Sequence, residues 1–539
     1  MAPAILCADL SFVWPDGAPA LQHLDLTLDP GRTGLIGANG SGKSTLLQLI
    51  AGRLRPTGGT VSVSGDVGLL PQNLALDQHR TVSDLLGIGR LRTAVRRIET
   101  GAFDEQQLAG LLAEIGDDWD VEERAVAALH RLGLAVPDLL DRGVTSLSGG
   151  EVVLAGLARL LLRRPAATLL DEPTNNLDRR ARGLLYDAVR DWPGVLVVVS
   201  HDRELLDLMD RIAELRGGEI RIYGGNFTAY TEQVAAEQSA AERAVRAAEA
   251  TVRTEKRQLA DTGIKLDRRE RTGRRAELEK RVPGIISGAR KRAAQVSAGK
   301  LRIEMTEKLQ AARSTLASAE EAVRDDDRIR IDLPGTALPA GRTVLEIDTS
   351  DRPLGIRGPE RIALLGTNGS GKTTLLHAIA GLGGPAAGAV RNVCDRVGYL
   401  PQRLDVLDDA ETVLDNIRVV NPGATPQQVR ARLARFLLRG DDVARLAGTL
   451  SGGERLRVAL ARLLLAEPQP QLLLLDEPTN NLDLASVDAL TGALAGYRGA
   501  LVVAGHDLPF LVSIGITRWW EFDADGVLRE VAEPELRTG

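Results

Sequence analysis

At 539 residues the chain is too long for one hydrophobic core, which rarely grows past about 250–300 residues, so more than one domain is expected. Its 44% apolar and 26% charged residues are those of a globular protein, and a formal net charge of −6 makes it acidic as a whole. The two cysteines, Cys7 and Cys394, stand in unrelated contexts and exclude a disulfide framework, an iron–sulfur ferredoxin module and a Cys-rich zinc site.

In chain order, the N-terminus MAPAILCADLSF lacks the charged start and apolar stretch of a secretion signal. No apolar run anywhere approaches the roughly 18 residues of a membrane helix. A cytoplasmic protein with no integral membrane segment is expected. The stretch LSFVW puts Phe12 and Trp14 on a strand. A second strand, GLIG, runs into GANGSGKST, which fits the phosphate-loop pattern G-x-x-x-x-G-K-[ST]. Gly37, Gly40 and Gly42 let backbone N–H groups wrap phosphates, and the helix pattern TLLQLIAG adds the positive potential of its N-terminus. Lys43 is placed to reach the β and γ phosphates and Ser44 to offer its hydroxyl to Mg²⁺, with Asn39 and Thr45 completing the nucleotide contacts.

Downstream come Gln72 in LPQ and the short motif LSGGE, whose Ser148, Gly149 and Gly150 make a second anion-binding helix start. The apolar strand ATLLDE then ends in two carboxylates. Asp171 sits where a Mg²⁺-side carboxylate belongs, and Glu172 can polarise an attacking water. NNLD, with Asp178, and SHD, with His201, close this half.

Residues 231–332 change character. Apolar residues recur at Val234, Ala241, Val245, Ala248, Val252, Leu259 and Leu266, and again at Met305, Leu309, Ala312, Leu316, Ala319 and Val323, at coiled-coil spacings. With Pro283-Gly284 between them, the two runs predict an antiparallel helical hairpin with arms of about 33 residues, roughly 50 Å long. From Lys265 to Arg302 there are 13 Lys and Arg against 4 Asp and Glu, which is +9, so the rest of the chain carries −6 − 9 = −15. A cationic tip without aromatics predicts contact with nucleic-acid backbone through Arg274, Arg275, Arg281, Arg290, Lys291, Arg292 and Lys300, not base stacking. A basic solvated loop is the plainer reading of the same charge.

The second half then repeats the first in the same order. Gly366, Asn368, Gly369, Gly371, Lys372, Thr373 and Thr374 form its phosphate loop, followed by Gln402, by Ser451, Gly452 and Gly453, by Asp476 and Glu477, by Asp483 and by His506. A duplicated unit of roughly 200 residues makes each copy a domain. The copies differ at Gly505, which replaces Ser200, and in the lack of any aromatic between Tyr230 and Tyr399. Between Gln72 and Ser148 lie 75 residues, against 48 between Gln402 and Ser451; the extra 27 fall around residues 90–123, a stretch rich in acidic residues.

This motif set resembles the ATP-binding cassette ATPases over both halves of the chain. The resemblance implies an α/β fold of two P-loop cassettes, at 1–230 and 333–539, that pair head to tail within a monomer, with ATP and Mg²⁺ as cofactors. One site would join Lys43, Ser44, Gln72, Glu172 and His201 with Ser451, Gly452 and Gly453. The other would join Lys372, Thr373, Gln402, Glu477 and His506 with Ser148, Gly149 and Gly150. It further implies Ser44, Gln72 and Asp171, and Thr373, Gln402 and Asp476, as Mg²⁺ ligands, His201 and His506 as catalytic partners, Asp178 and Asp483 at the interface, and Trp14 stacked on adenine. Twin cassettes joined by a charged helical linker, with GNFTAY ahead of it, are similar to the ABC-F type. That type implies action on the ribosome, as a translation factor or in antibiotic resistance, with the linker tip toward rRNA and P-site tRNA and the extra residues of the first copy as a short arm. A fused ATPase subunit of a membrane transporter and a DNA-repair or chromosome ATPase are the alternatives.

Overall fold

The computed structural model describes residues 4–72, 81–175, 177–278, 284–323, 329, 331, 333–349, 352–367, 369–480, 482–523 and 526–534; side chains at 105, 269–270, 273–278, 284–295, 298 and 387 are not described. One compact unit holds Met1–Phe227 with Asp327–Gly539, and a second is Thr228–Asp326.

The first unit contains one α/β layout twice. In the first cassette the main sheet runs Val67–Leu70, Ala167–Asp171, Val195–Val199, Gly31–Gly37, Arg211–Arg216, all parallel, with Glu219–Gly224 antiparallel at the edge. ATLLD and VLVVV are continuous apolar runs because both faces of these strands are covered, and every residue in them is buried. A three-stranded antiparallel sheet of Pro19–Leu28, Ile5–Val13 and Gly58–Val63 shares a core with the helix Lys43–Ile50, through Leu10, Leu24, Leu46, Leu47 and Val197. The second cassette repeats this with Val397–Leu400, Leu472–Asp476, Ala500–Ala504, Arg361–Leu365, Arg518–Phe522 and Leu528–Val531 in its main sheet. Its antiparallel strands Leu354–Arg357, Thr343–Ile347 and Val390–Val393 are shorter. In both copies the signature residues follow the carboxyl ends of parallel strands, where open α/β sheets leave a crevice.

Where the second cassette has the helices Val413–Val420 and Pro426–Leu433, the first has Gly89–Glu99, Glu105–Ile115 and Val121–Arg131 after the short helix Val82–Leu86. The extra helices close a small core of their own on Ala94, Val95, Leu111 and Ile115. Arg92 is buried beneath them, with Asp141 at 2.5 Å and Glu122 at 3.0 Å.

The second unit is built on two helices longer than the expected arms, Phe227–Leu278 with 52 residues and Gly284–Ala322 with 39. At about 1.5 Å per residue they extend roughly 78 and 58 Å. The heptad spacing marked the seam, but the helices continue past it. All thirteen expected seam residues are buried or half-buried, with Ala248, Leu309 and Ala312 the most enclosed, while Ile264 and Val296 off the seam are exposed. Arg302 lies 3.3 Å from Asp267, the pairing of two helices that run antiparallel. Pro283 falls outside the described residues. Ile329 and Ile331, expected in the linker, are buried in the core of the second cassette against the helix Leu484–Ala495, where a Cβ on Gly492 would meet Ile329 O at 2.6 Å.

Candidate nucleotide sites

Each phosphate loop leaves its strand and enters its helix through a left-handed glycine, Gly42 at φ 101° and Gly371 at φ 103°. Only glycine adopts this backbone freely. Gly37 and Gly366 begin the loops, and a Cβ on Gly37 would stand 2.5 Å from Leu215 O. Gly40 and Gly369 have open space around them. Asn368 lies outside the described residues. Each lysine folds back on its own loop. Lys43 Nζ donates to Gly37 O at 2.7 Å and Ala38 O at 2.9 Å, and Lys372 Nζ to Gly366 O at 2.8 Å. Burial lowers both lysine pKa values, against the pull of the neighbouring carboxylates.

Beneath each loop sits an oxygen cluster. Ser44 Oγ donates to Asp171 Oδ1 at 3.1 Å. In the second cassette Thr373 bonds Asp476, which also accepts from the Tyr399 hydroxyl at 3.4 Å. Burial raises both aspartate pKa values, with the hydroxyl partner opposing. Asp476 Oδ1 is buried with no hydrogen-bond partner. Gln72 and Gln402 are exposed at the ends of their strands, and Gln402 lines the second site. Among the described residues no group of three or more His, Cys, Asp and Glu forms a metal site of its own.

Glu172 and Glu477 stand at φ 49° and 45°, left-handed backbone that a side-chain-bearing residue rarely takes. Both stand at the point where the strand leaves the ladder. Each N–H still makes the last ladder bond of its strand, Glu172 to Val199 O at 2.9 Å and Glu477 to Ala504 O at 2.8 Å. His201 Nε2 lies 3.2 Å from Glu172 Oε1, and His506 Nε2 lies 3.2 Å from Glu477 Oε1. The electrostatics of these matched pairs differ. Burial pushes the Glu172 carboxyl up to about 8, with Lys43 opposing, and drives His201 down to about 4. Burial raises Glu477 too, but His506, Lys372 at 3.8 Å and Arg182 outweigh it and hold that carboxyl below its ordinary range.

The second site is a cavity of about 330 Å³ lined by Gly369–Thr374, Gln402, Asp476, Glu477, Asn480 and His506, and by Leu177 from the first cassette. Ser148, Gly149 and Gly150 are not among the described residues that line it. Ser148 and Ser451 are exposed N-caps, each accepting the N–H of the glutamate three residues on, Glu151 and Glu454. The cassettes already touch at the NNLD loops. Asp483 Oδ2 accepts Asn39 N–H at 2.8 Å, while its Oδ1 caps Ser486 N at 2.8 Å. Asp178 caps Ala181 N at 2.9 Å and lines a second cavity with Gly366 and Thr367. Ser200 Oγ accepts Asp202 N–H at 3.1 Å beside His201; Gly505 gives the second site no such bond.

Trp14 stands one residue past its strand, in the hairpin turn, 39% exposed and edge-on to Phe12 at 5.0 Å. The shorter hairpin of the second cassette carries no aromatic there. Among the tip residues, Lys300 is exposed; Arg281 and the side chains of Arg274, Arg275, Arg290, Lys291 and Arg292 lie outside the described residues. Leu177, Asn480, Tyr399 and Arg182 were not singled out by the motifs. Leu177 and Asn480 lie inside NNLD, so that motif held the signal; Tyr399 and Arg182 show only as differences between the two copies.

The ABC transporter family model matches residues 21–175 and 351–480. Tylosin resistance ATP-binding protein TlrC of Streptomyces fradiae is 35% identical over 537 residues, covering 91% of this chain and 92% of the relative. Energy-dependent translational throttle protein EttA of Escherichia coli is 31% identical, covering 93% and 88%, and that of Mycobacterium tuberculosis is 32% identical, covering 91% and 86%. The archaeal aABCE1 complex with stalk protein aP1 shares the fold at a TM-score of 0.53 and 20% identity, over 96% of this chain and 87% of that one. No helix among the described residues is long and apolar enough to cross a membrane. The chain belongs to the ATP-binding cassette family, among its ABC-F members, and is an ATP hydrolase.

Proposed function

We propose that this protein is an ATP-driven factor acting on the ribosome, and that closure of its cassettes on ATP sets the position of the linker tip against rRNA and P-site tRNA. The observation that carries this reading is the match, along almost the whole chain, to a tylosin resistance protein and to translational throttle proteins. The concentration of positive charge at 265–302 in an acidic chain supports an RNA contact there. The protein acts in the cytoplasm as a monomer.

In each site Lys43 or Lys372 leaves its loop carbonyls for the phosphates and offsets part of their negative charge. The oxygen-only donor sets suit Mg²⁺: Ser44, Asp171 and Gln72 would hold one ion, and Thr373, Asp476 and Gln402 the other. The unpartnered Asp476 Oδ1 fits that use. Bound there, Mg²⁺ would neutralise phosphate charge. Glu172 and Glu477 orient the attacking water, and His201 and His506 fix the glutamate and the γ-phosphate end of the site. Ser451–Gly453 and Ser148–Gly150 complete the sites from the opposite cassette. Their exposed N-caps are ready acceptors of a phosphate, so ATP serves as the clamp and loss of γ-phosphate releases it.

The double Glu172→Gln, Glu477→Gln variant with ATP tests this by sedimentation. It is expected to pellet with ribosomes with ATP and to remain in the supernatant with ADP. Recovery with membranes alone would overturn the reading. A growth assay in tylosin then assigns drug protection or a general role in translation.

A further inference from the structure

The two glutamate–histidine pairs match in distance, but the helix after NNLD is not duplicated: it reads RRARGLLYDAVR in the first cassette and LASVDALTGALA in the second. Arg182 stands where the other copy has Val487, and Tyr186 where it has Thr491. The Arg182 side chain is 17% exposed. Its Nη1 lies 3.3 Å from Asp202 Oδ2, which also accepts the Tyr186 hydroxyl at 2.6 Å. Its Nε donates to Leu177 O at 3.3 Å. Asp202 directly follows His201 of the first site. Leu177 lines the second site with Lys372, Glu477 and His506. One guanidinium therefore joins the switch loop of one site to the wall of the other.

The surroundings favour a charge that acts across the interface. Arg182 lines a cavity of about 440 Å³ between the cassettes, together with His506, Asp507 and Thr367. Around so largely buried a side chain water screens less than at a surface, and charges reach further. Burial opposes the guanidinium charge, and Asp202, Asp507 and Glu477 sustain it. Nearby, Arg203 reaches Asp488 of the second cassette at 2.8 Å, where the mirrored positions are Leu508 and Gly183. The polar contacts here are one-sided.

We propose that Arg182 of the first cassette is a positioning residue for hydrolysis at the second site, holding Leu177 against the nucleotide and setting the field around Glu477, a service that Val487 cannot return to the first site. The proposal rests on the reading of Glu172 and Glu477 as the residues that orient water.

Steady-state ATPase kinetics in two backgrounds test it. In Glu172→Gln, where the second site turns over, Arg182→Gln is expected to lower kcat about tenfold while KM stays within about twofold. In Glu477→Gln, where the first site turns over, the same change is expected to move kcat less than about twofold. Arg182→Val, the residue of the other copy, should reproduce the one-sided loss. Equal losses in both backgrounds, a loss accompanied by a lower melting midpoint, or no loss in either would overturn the proposal. A failure of the glutamate reading shows separately, as undiminished turnover in the two parent variants before Arg182 is changed.

Discussion

Gly42 and Gly371 occupy the same position in the two phosphate loops with nearly the same backbone, φ 101° and 103°, but different surroundings. An alanine at either must take left-handed backbone, a cost of about 1–2 kcal/mol. At Gly371 nothing lies within 4 Å of the added Cβ. At Gly42 the Cβ would stand 2.8 Å from Ala20 O and 2.8 Å from Leu21 Cδ2, because the long hairpin of the first cassette crosses the loop there. A carbonyl held in a sheet cannot swing aside as a side-chain end can, so overpacking adds about 1–3 kcal/mol. Gly42→Ala is therefore expected to destabilise by roughly 2–5 kcal/mol and Gly371→Ala by about 1–2 kcal/mol. For a domain of this size about 1 kcal/mol moves a melting midpoint by roughly 2–4 °C. Thermal unfolding of the two single variants, followed by nucleotide titration, measures both effects. Gly42→Ala should melt several degrees lower and lose more ATP binding. An equal shift, or a larger one for Gly371→Ala, would refute the steric argument and leave backbone strain as the sole cost.

Single Glu172→Gln and Glu477→Gln variants should each lower ATPase turnover; unchanged turnover in both would remove these residues from the chemistry. Replacing Arg290, Lys291 and Arg292 with neutral residues should weaken ribosome binding and flatten its log–log salt slope by about 2–3, with ATPase activity largely kept; an unchanged slope would take the tip off the RNA. In the three-helix insertion, Arg92 holds Glu122 and Asp141 below their ordinary range, chiefly by hydrogen bonding. Their stabilising contribution is complete above the ordinary carboxylate range, about pH 4, and is lost as acid carries the pH down through the lowered values. Acid unfolding of Arg92→Met should lack that part of the pH dependence, and a curve parallel to the parent protein's would contradict it.

The duplicated motifs made the clustering of most candidate site residues legible, because the pattern G-x-x-x-x-G-K-[ST] fixes residue types at fixed spacing. Lys43, Ser44, Asp171, Glu172 and their counterparts cluster at the strand ends where such loops must lie. The seam of the hairpin was legible for a similar reason, since burial imposes the heptad on Ala248, Leu309 and Ala312. Its length was not, because Phe227–Leu278 continues as helix beyond the last heptad position, where nothing in the pattern marks an end. The boundary at Ile329 and Ile331 was hidden because two buried residues beyond a charged run carry no period. The left-handed backbone of Glu172 and Glu477 was also illegible, because residue type does not favour that conformation at a glutamate. The asymmetry between the sites lay in plain view at Arg182 and Val487, but gained meaning only once Leu177 and Asp202 were seen on either side of that side chain.

Whether ATP closure delivers the linker tip to RNA can be measured by cross-linking. A photo-reactive group placed at residue 292 of the Glu172→Gln, Glu477→Gln variant is incubated with ribosomes and either ATP or ADP. Cross-links to rRNA or P-site tRNA are expected with ATP and should vanish with ADP. Cross-links to ribosomal protein alone, or RNA cross-links of equal yield with either nucleotide, would contradict that delivery.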